Sequence, residues 1–334
     1  MTPDSTPVDG SSKQALCSLC GKRMRPWLHV PCDWRHPEGS KSYDVYWCDV
    51  SGYGTVYPRP AADEVHAFYG IDDYYTHSSA GSPIACDSRS IGERLRVHCA
   101  WWLDRAREAI CERIDPLLPR GTSYVCDIGC GNGRLLYELR RRGHRVVGVE
   151  PDADARKAAH DIGVDAHDGT AEELPSGLQR GTFDIVIMNN VLEHCLDPIL
   201  AFRSATNLLN QGGKIICCVP NSCARGQSCS GVTWNWLDVP RHLNFFTVQS
   251  LRALCEQVGV SVEEMSYYGY CRQFTQQWIA SEQKIWDTFA RRSAEAALPH
   301  RSSALRSWLL LLKTGMARPD CKYDSIVAIA QRVG

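Results

Sequence analysis

The feature that most constrains this chain is a run near residue 125, where strand-like sequence stops abruptly at clustered glycines and helix-like sequence begins at once. Tyr124 to Ile128 lead into Asp127-Ile128-Gly129-Cys130-Gly131-Asn132-Gly133, and Gly133 to Arg142 carry apolar residues at helical spacing. Glycines let such a turn close tightly and let the backbone approach a ligand, while the start of the helix offers N–H groups with no partner of their own. A strand that passes straight into a helix implies a further parallel strand, because the helix carries the chain back over the sheet.

The rest of the chain repeats that alternation. Further strands are predicted at Arg145 to Val149, Val164 to His167, Phe183 to Met188 and Lys214 to Val219, with helices at Ala153 to His160 and Pro198 to Leu209. Thr247 to Val258 reads as another helix with Thr247 as its N-cap, and two last strands are expected near Ser261 to Tyr268 and Asp324 to Ala330. The expected fold class is α/β, a doubly wound, mostly parallel seven-stranded sheet over residues 121–334, with inserted helices at about 271–316 acting as a lid or packing element. Upstream, residues 1–13 read as a disordered tail and 14–60 as a small module rich in Cys, Trp, Tyr and Pro. Residues 61–120 read as a helical segment that caps the ligand edge of the sheet, clearest from Ile91 to Ile114, where Leu95, Cys99, Trp102, Ala106 and Ile110 recur on one face before Pro116 and Pro119 close the helix.

Composition excludes several function classes. With 44% hydrophobic and 22% charged residues and a net charge of -1, the chain is that of a soluble globular protein with no basic excess for nucleic acid, its densest basic clusters being Arg140 to Arg142 and Arg291 to Arg292. The opening residues carry no apolar signal region, and the apolar stretch Trp308 to Leu312 is too short to span a bilayer, so no membrane partner and a cytoplasmic location are expected. Most of the 17 cysteines read as reduced thiols: the count is odd, and Cys126, Cys217 and Cys218 fall inside apolar strands, where cysteine behaves as a small hydrophobe. Nothing in the sequence sets the oligomeric state.

Three carboxyl-edge features accompany the glycine turn. Glu150 ends the second strand, where a carboxylate can accept hydrogen bonds from both hydroxyls of a ribose. Asp168-Gly169-Thr170 ends the third strand, where a carboxylate can meet an exocyclic amine, and Asn189-Asn190-Val191-Leu192-Glu193-His194 follows the fourth. This ordered series, covering about Ser123 to Asn221, resembles the class I S-adenosylmethionine-dependent methyltransferase superfamily. A nicotinamide dehydrogenase is the structural rival, but its fingerprint is GxGxxG, and here Gly131 is followed by Asn132-Gly133.

The resemblance implies S-adenosylmethionine as cofactor. Asp127, Gly129, Gly131 and Gly133 would then shape the methionine side of the pocket, Glu150 would hold the ribose and Asp168 the adenine, with Asn189 on the fourth strand's edge and Tyr75, beside Tyr74, closing over the cofactor. The run Trp236-Leu237-Asp238-Val239-Pro240-Arg241-His242-Leu243-Asn244-Phe245-Phe246-Thr247 resembles a segment of the small-molecule branch whose histidine faces the substrate. His242, ahead of His194, is therefore the candidate acid/base or orienting residue, in a pocket walled by Trp234, Trp236, Phe245 and Phe246.

Cys17-x-x-Cys20-Gly and the later Cys48 resemble the zinc-binding module that precedes some of these enzymes, as do Tyr57-Pro58-Arg59-Pro60, Phe68-Tyr69 and Tyr74-Tyr75. Where the second pair would place its last cysteine stands Ser51, so a structural zinc held by Cys17, Cys20 and Cys48 needs a fourth ligand from Cys32, His36 or another group. The expected function is methyl transfer from S-adenosylmethionine to an O, N, S or C atom of a small-molecule acceptor in specialised metabolism. The alternative is a cofactor-binding regulatory or scaffolding protein without transfer.

Overall fold

A computed structural model describes residues 15–68, 90–104, 121–292 and 298–333 of the chain. The N-terminal residues form three short antiparallel strands, β1 (Arg25–Val30), β2 (Tyr43–Cys48) and β3 (Tyr53–Val56). Alternation sets their faces: Tyr43 and Val45 are buried while Asp44 between them is exposed. Helix α1 (Ala62–Ala67) follows, and helix α2 spans Ile91–Leu103 with Ser90 as its N-cap.

Helix α2 departs from the expected pattern. Its buried residues are Glu93, Arg96 and Ala100, whereas Leu95 and Trp102 are 55% and 71% exposed. The polar residues turn inward because they have partners there: Arg96 Nε donates to the Phe274 carbonyl at 2.8 Å, and the Glu93 carboxylate accepts from the Gln276 N–H at 2.7 Å. Ala106 and Ile110, like Tyr74 and Tyr75, lie outside the described residues.

The main sheet then begins. Strands β4 (Tyr124–Ile128), β5 (Arg145–Val149), β6 (Ala166–His167), β7 (Phe183–Asn189) and β8 (Leu209–Pro220) are parallel. They alternate with helices α3 (Arg134–Arg141), α4 (Ala153–Asp161) and α5 (Pro198–Leu208), and α6 (Arg225–Ser230) follows β8. A two-residue strand, β9 (Asn244–Phe245), precedes α7 (Val248–Val258), where Thr247 and Ser250 form the expected capping box. Strand β10 (Val260–Tyr268) leads to a 3-10 turn, helices α8 (Gln276–Arg292), α9 (Ala304–Gly315) and α10 (Pro319–Lys322), and the last strand β11 (Ser325–Arg332). The seven-stranded order is β10-β11-β8-β7-β4-β5-β6, with β11 antiparallel to both its neighbours.

Period-two alternation divides the core between the two faces. Cys126, Val186 and Met188 pack on one side with Ala201, Phe202 and Ala205 of α5 and Leu251 and Leu254 of α7. Val125, Ile185 and Ile187 pack on the other with Leu136 and Leu139 of α3 and Ala159 of α4. Each of these larger apolar side chains contributes roughly 1.5–3 kcal/mol by leaving water.

The N-terminal strands do not stand apart from this sheet. Strand β9 pairs with β3 to complete a second sheet ordered β1-β2-β3-β9, and Thr247 Oγ1 donates to the Gly52 carbonyl at 2.9 Å. A buried ion cluster fastens the same loop: Arg241, fully buried, donates to Asp33 at 2.8 Å from both terminal nitrogens and to Asp238 at 2.9 Å. Burial pushes the Asp238 carboxyl up, but the Arg241 charge and hydrogen bonds, with Arg35, outweigh it and hold the group well below the ordinary carboxylate range. Removing the guanidinium in Arg241→Met leaves the buried Asp33 carboxylate without its cation and Asp238 with Arg35 alone, an expected loss of about 3–5 kcal/mol in urea unfolding at neutral pH. A group whose folded pKa is depressed contributes stability above its unfolded pKa and loses it as pH falls. The parent's urea midpoint should therefore decline below about pH 4, and the decline should be smaller in Arg241→Met.

Candidate active site

The glycine turn is fastened to the end of β5. The Val149 carbonyl accepts from Gly129 N–H at 2.7 Å and Cys130 N–H at 3.1 Å, and the Glu150 carboxylate accepts from Gly131 N–H at 2.8 Å and Asp152 N–H at 3.0 Å. Gly129 and Gly131 have φ of +73° and +53°, a region that side chains disfavour. Their surroundings differ. A Cβ on Gly129 would meet Val191 Cγ2 at 2.6 Å, whereas one on Gly131 would have nothing within 4 Å. Gly129 thus serves packing against the segment after β7, and Gly131 faces open space above the sheet edge.

Around that space lie polar atoms without partners among the described residues. Asp127 is buried and its Oδ1 has no hydrogen bond, and burial together with the nearby Glu150 pushes its carboxyl up to about 8. The Oδ1 atoms of Asn189 and Asn190 are also buried and unpaired. Glu150 is raised by burial too, against its two backbone hydrogen bonds, and each of its oxygens keeps a second lone pair. A donor-rich ligand with an ammonium group and a diol suits these atoms. Asp168, by contrast, stands at the rim with its side chain 74% exposed, its Oδ1 2.8 Å from Arg156 Nη1, which also donates to the Glu150 carbonyl at 2.7 Å.

A second cluster adjoins the first. After β7 a 3-10 turn, Leu192–His194, brings Glu193 inward, fully buried and with neither carboxylate oxygen hydrogen-bonded among the described residues. His194 Nδ1 lies 3.1 Å from the Arg241 carbonyl and His242 Nδ1 lies 2.8 Å from the Trp236 carbonyl. The two rings meet edge to face with centroids 4.7 Å apart, and Trp236 stacks over His242. Burial pushes the Glu193 carboxyl up to about 8 and both imidazoles down, His194 to about 3 with the His242 charge adding to the effect. Of the four aromatic residues expected to wall this pocket, Trp236 does so. Trp234, Phe245 and Phe246 are buried, the two phenylalanines in the apolar clusters that join the N-terminal strands to the rest.

Asn244 holds the turn in place. Its Nδ2 donates to the carbonyls of Leu192 at 2.8 Å and Cys195 at 2.7 Å, while its Oδ1 accepts from Tyr53 Oη and Arg59 Nη2, each at 2.5 Å. Sequence reasoning gave Glu193, Asn244, Tyr53 and Arg59 no role. The only signal for Asn244 was its place two residues after His242, and the partners it joins are 52 and 191 residues away.

In the N-terminal module, the sulfur atoms of Cys17, Cys20 and Cys48 lie within 4.8 Å of one another. Ser51 stands at the fourth position, its hydroxyl 3.2 Å from Cys17 Sγ. Cys32, expected as a fourth ligand, is elsewhere: beyond the end of β1 it packs in the apolar cluster of Val30, Tyr43 and Val45. Three thiols suit a zinc ion, and a serine hydroxyl or a water is left to complete its tetrahedron.

A family model described as a methyltransferase domain matches residues 102–265. The chain is 30% identical over 175 residues to the ubiquinone biosynthesis O-methyltransferase of Cereibacter sphaeroides (strain ATCC 17025), covering 47% of this chain and 70% of that protein. It is 32% identical over 149 residues to the protein of the same name from Ruegeria sp. (strain TM1040), covering 41% of this chain and spanning 60% of the relative's length. A solved S-adenosylmethionine-dependent methyltransferase from Archaeoglobus fulgidus is 19% identical, with a TM-score of 0.47 over 71% of this chain and 94% of that one. The glycine turn and the acidic end of β5 lie together at one edge of the seven-stranded sheet. The chain belongs to the class I S-adenosylmethionine-dependent methyltransferase family.

The Asn244 brace gives a measurable coupling. Asn244→Ala removes the shortest hydrogen bond of the Leu192 and Cys195 carbonyls and the acceptor of the Tyr53 hydroxyl, leaving the carbonyls only the longer bonds from Cys195 N–H and Arg59, an expected loss of roughly 1–3 kcal/mol, and Tyr53→Phe alone should cost about 1 kcal/mol. In a double-mutant cycle read by urea unfolding, the two losses should be less than additive.

Proposed function

We propose that this chain transfers the methyl group of S-adenosylmethionine to a hydroxyl oxygen of a small-molecule acceptor. The carrying observation is the carboxyl-edge space beside Gly131, bordered by the unpaired Asp127 carboxyl and by Glu150 with lone pairs to spare. Asp127 would take the methionine ammonium, Glu150 the ribose hydroxyls and Asp168 the adenine amine, with Asn189 contributing from the end of β7. Tyr75 is assigned to the closing segment. When bound, the cofactor supplies an activated methyl carbon open to in-line displacement, and the protein's task is alignment and exclusion of water. His242 and His194 act on the acceptor, orienting its hydroxyl and governing its proton. The name shared by the two relatives, which specifies O-methyl transfer in quinone synthesis, supports oxygen as the acceptor atom.

The cysteine cluster has a separate role. A zinc ion on Cys17, Cys20 and Cys48 would staple the N-terminal strands and take no part in the chemistry. Reduced thiols suit the cytoplasm, and no helix among the described residues is long and apolar enough to cross a membrane.

Calorimetry with S-adenosylhomocysteine tests the cofactor site. Glu150→Ala removes two charge-assisted hydrogen bonds to the ligand and should weaken binding by roughly 10²-fold or more. His242→Ala should bind like the parent while methyl transfer from labelled cofactor into a hydroxylated metabolite extract falls by ~10²–10⁴-fold. A parent that neither binds S-adenosylhomocysteine nor labels any product would sink the proposal. For the cysteine cluster, purified protein should carry about one zinc per chain, and Cys20→Ser should lose it and unfold at lower urea without losing cofactor affinity.

A further inference from the structure

We propose that helices α2 and α9 present a face that docks reversibly on an anionic phospholipid surface. On α9 the residues Leu305, Leu309 and Leu312, with Met316 just past the end of the helix, are 70%, 47%, 76% and 87% exposed. Their spacing of four, three and four residues sets them in one stripe along a helix about 18 Å long. Opposite this stripe lie Ser307, Leu311 and Thr314, the residues by which α9 is seated on the protein. On α2 the same division holds: Glu93, Arg96 and Ala100 are buried, while Ile91 and Trp102, like Leu95, are exposed.

The two stripes look the same way. Both helices rest their buried faces on the 3-10 turn Cys271–Phe274 and the residue before it: Arg96 donates to the Phe274 carbonyl, Tyr270 Oη and Thr314 Oγ1 are 2.9 Å apart, and Ala100 and Leu311 share one apolar cluster with Tyr270 and Phe274. The helices also touch each other, since a Cβ on Gly315 would meet Leu103 Cδ1 at 3.2 Å. Their opposite faces therefore form one apolar surface directed away from the body of the protein. Scattered apolar side chains are ordinary on a soluble surface, but seven large ones on two touching helices make a patch, and such patches mark interaction sites.

The charge around the patch selects its occupant. From residue 296 to residue 319 the sequence contains no aspartate or glutamate, while Arg301, Arg306, Lys313 and Arg318 are all basic. Lys313 is exposed beside the α9 stripe and Arg94 beside that of α2, and the single acidic residue of α2, Glu93, is turned inward. A helix with a leucine stripe, flanking lysine and arginine, and a tryptophan such as the half-buried Trp308 at its edge is the form that lies in a headgroup layer, its apolar side reaching the acyl chains and its cations meeting phosphate. In a symmetric contact between two copies the same cations would be brought together, which favours an anionic partner over a second copy. Trp308 to Leu312 is too short an apolar run to span a bilayer, but lying on one needs only a face. Helix α9 falls outside the residues matched by the methyltransferase domain, so docking belongs to this chain's helical insertion and does not rest on the methyl-transfer reading.

Full-length protein should sediment with vesicles of mixed phosphatidylcholine and phosphatidylglycerol and stay in solution with vesicles of phosphatidylcholine alone. Raising the salt should release it from the mixed vesicles. The double variant Leu305→Glu/Leu312→Glu, altered at exposed positions, should lose vesicle binding by about tenfold or more while keeping the parent's urea midpoint. Lys313→Glu should weaken binding to the mixed vesicles by about fivefold or more. A parent that ignores the mixed vesicles, or that binds both kinds equally, overturns the proposal, as does unchanged binding in either variant. A parent that sediments as a dimer, dissociated by the same double variant, assigns the face to a second copy and overturns it equally.

Discussion

Strand β4 lies between β5 and β7, and the functional geometry depends on that placement. The helices that follow β4 and β7 leave toward opposite faces of the sheet, α3 to one and α5 to the other, so the connections above them part and a crevice opens between. The glycine turn and the turn that carries Glu193 follow the two strands on either side of this divide. The glycine turn forms one wall and the turn after β7 the other, touching where Gly129 lies against Val191. Had β5 and β7 shared one side of β4, these polar groups would have had no common space to face.

Much of this was legible in the sequence because it is governed by local rules. The bounds of β4 and β5 were read correctly from apolar runs ended by turn residues, and the Thr247 cap from its hydroxyl before an amphipathic stretch. What escaped was set by distant partners. The apolar stripe of α2 pointed outward because Glu93 and Arg96 found backbone groups near residue 275, which no periodicity announces. Strands β1 to β3 went unread because each is short and gains its pairing from the others and from β9. Among candidate site residues, the glycine turn and Glu150 were named from fixed offsets from a strand, and the structure joins them through the Gly131 N–H, whereas Glu193 was named in its run but given no role. Its significance lies in what surrounds it, and a lone Glu beside a His in sequence carries no sign of burial.

Buried charge is handled in two ways in this molecule. Around Arg241 opposite charges meet with several hydrogen bonds, and the result is a rigid joint between the N-terminal strands and the loop that carries His242. Both oxygens of Glu193 and the Oδ1 of Asp127 are left without donors among the described residues, so the fold bears a desolvation cost there that burial expresses as raised carboxyl pKa values. The first pattern belongs to architecture. The second marks where the protein is built to interact.

Strand β9 is only two residues long, yet it makes the N-terminal sheet and the acceptor side of the crevice a single mechanical body. Asn244 belongs at once to a strand of the first and to the brace beneath the second. A displacement of the N-terminal strands would therefore reach the Glu193 turn through this one side chain, so those strands act as the mounting on which the turn after β7 is set.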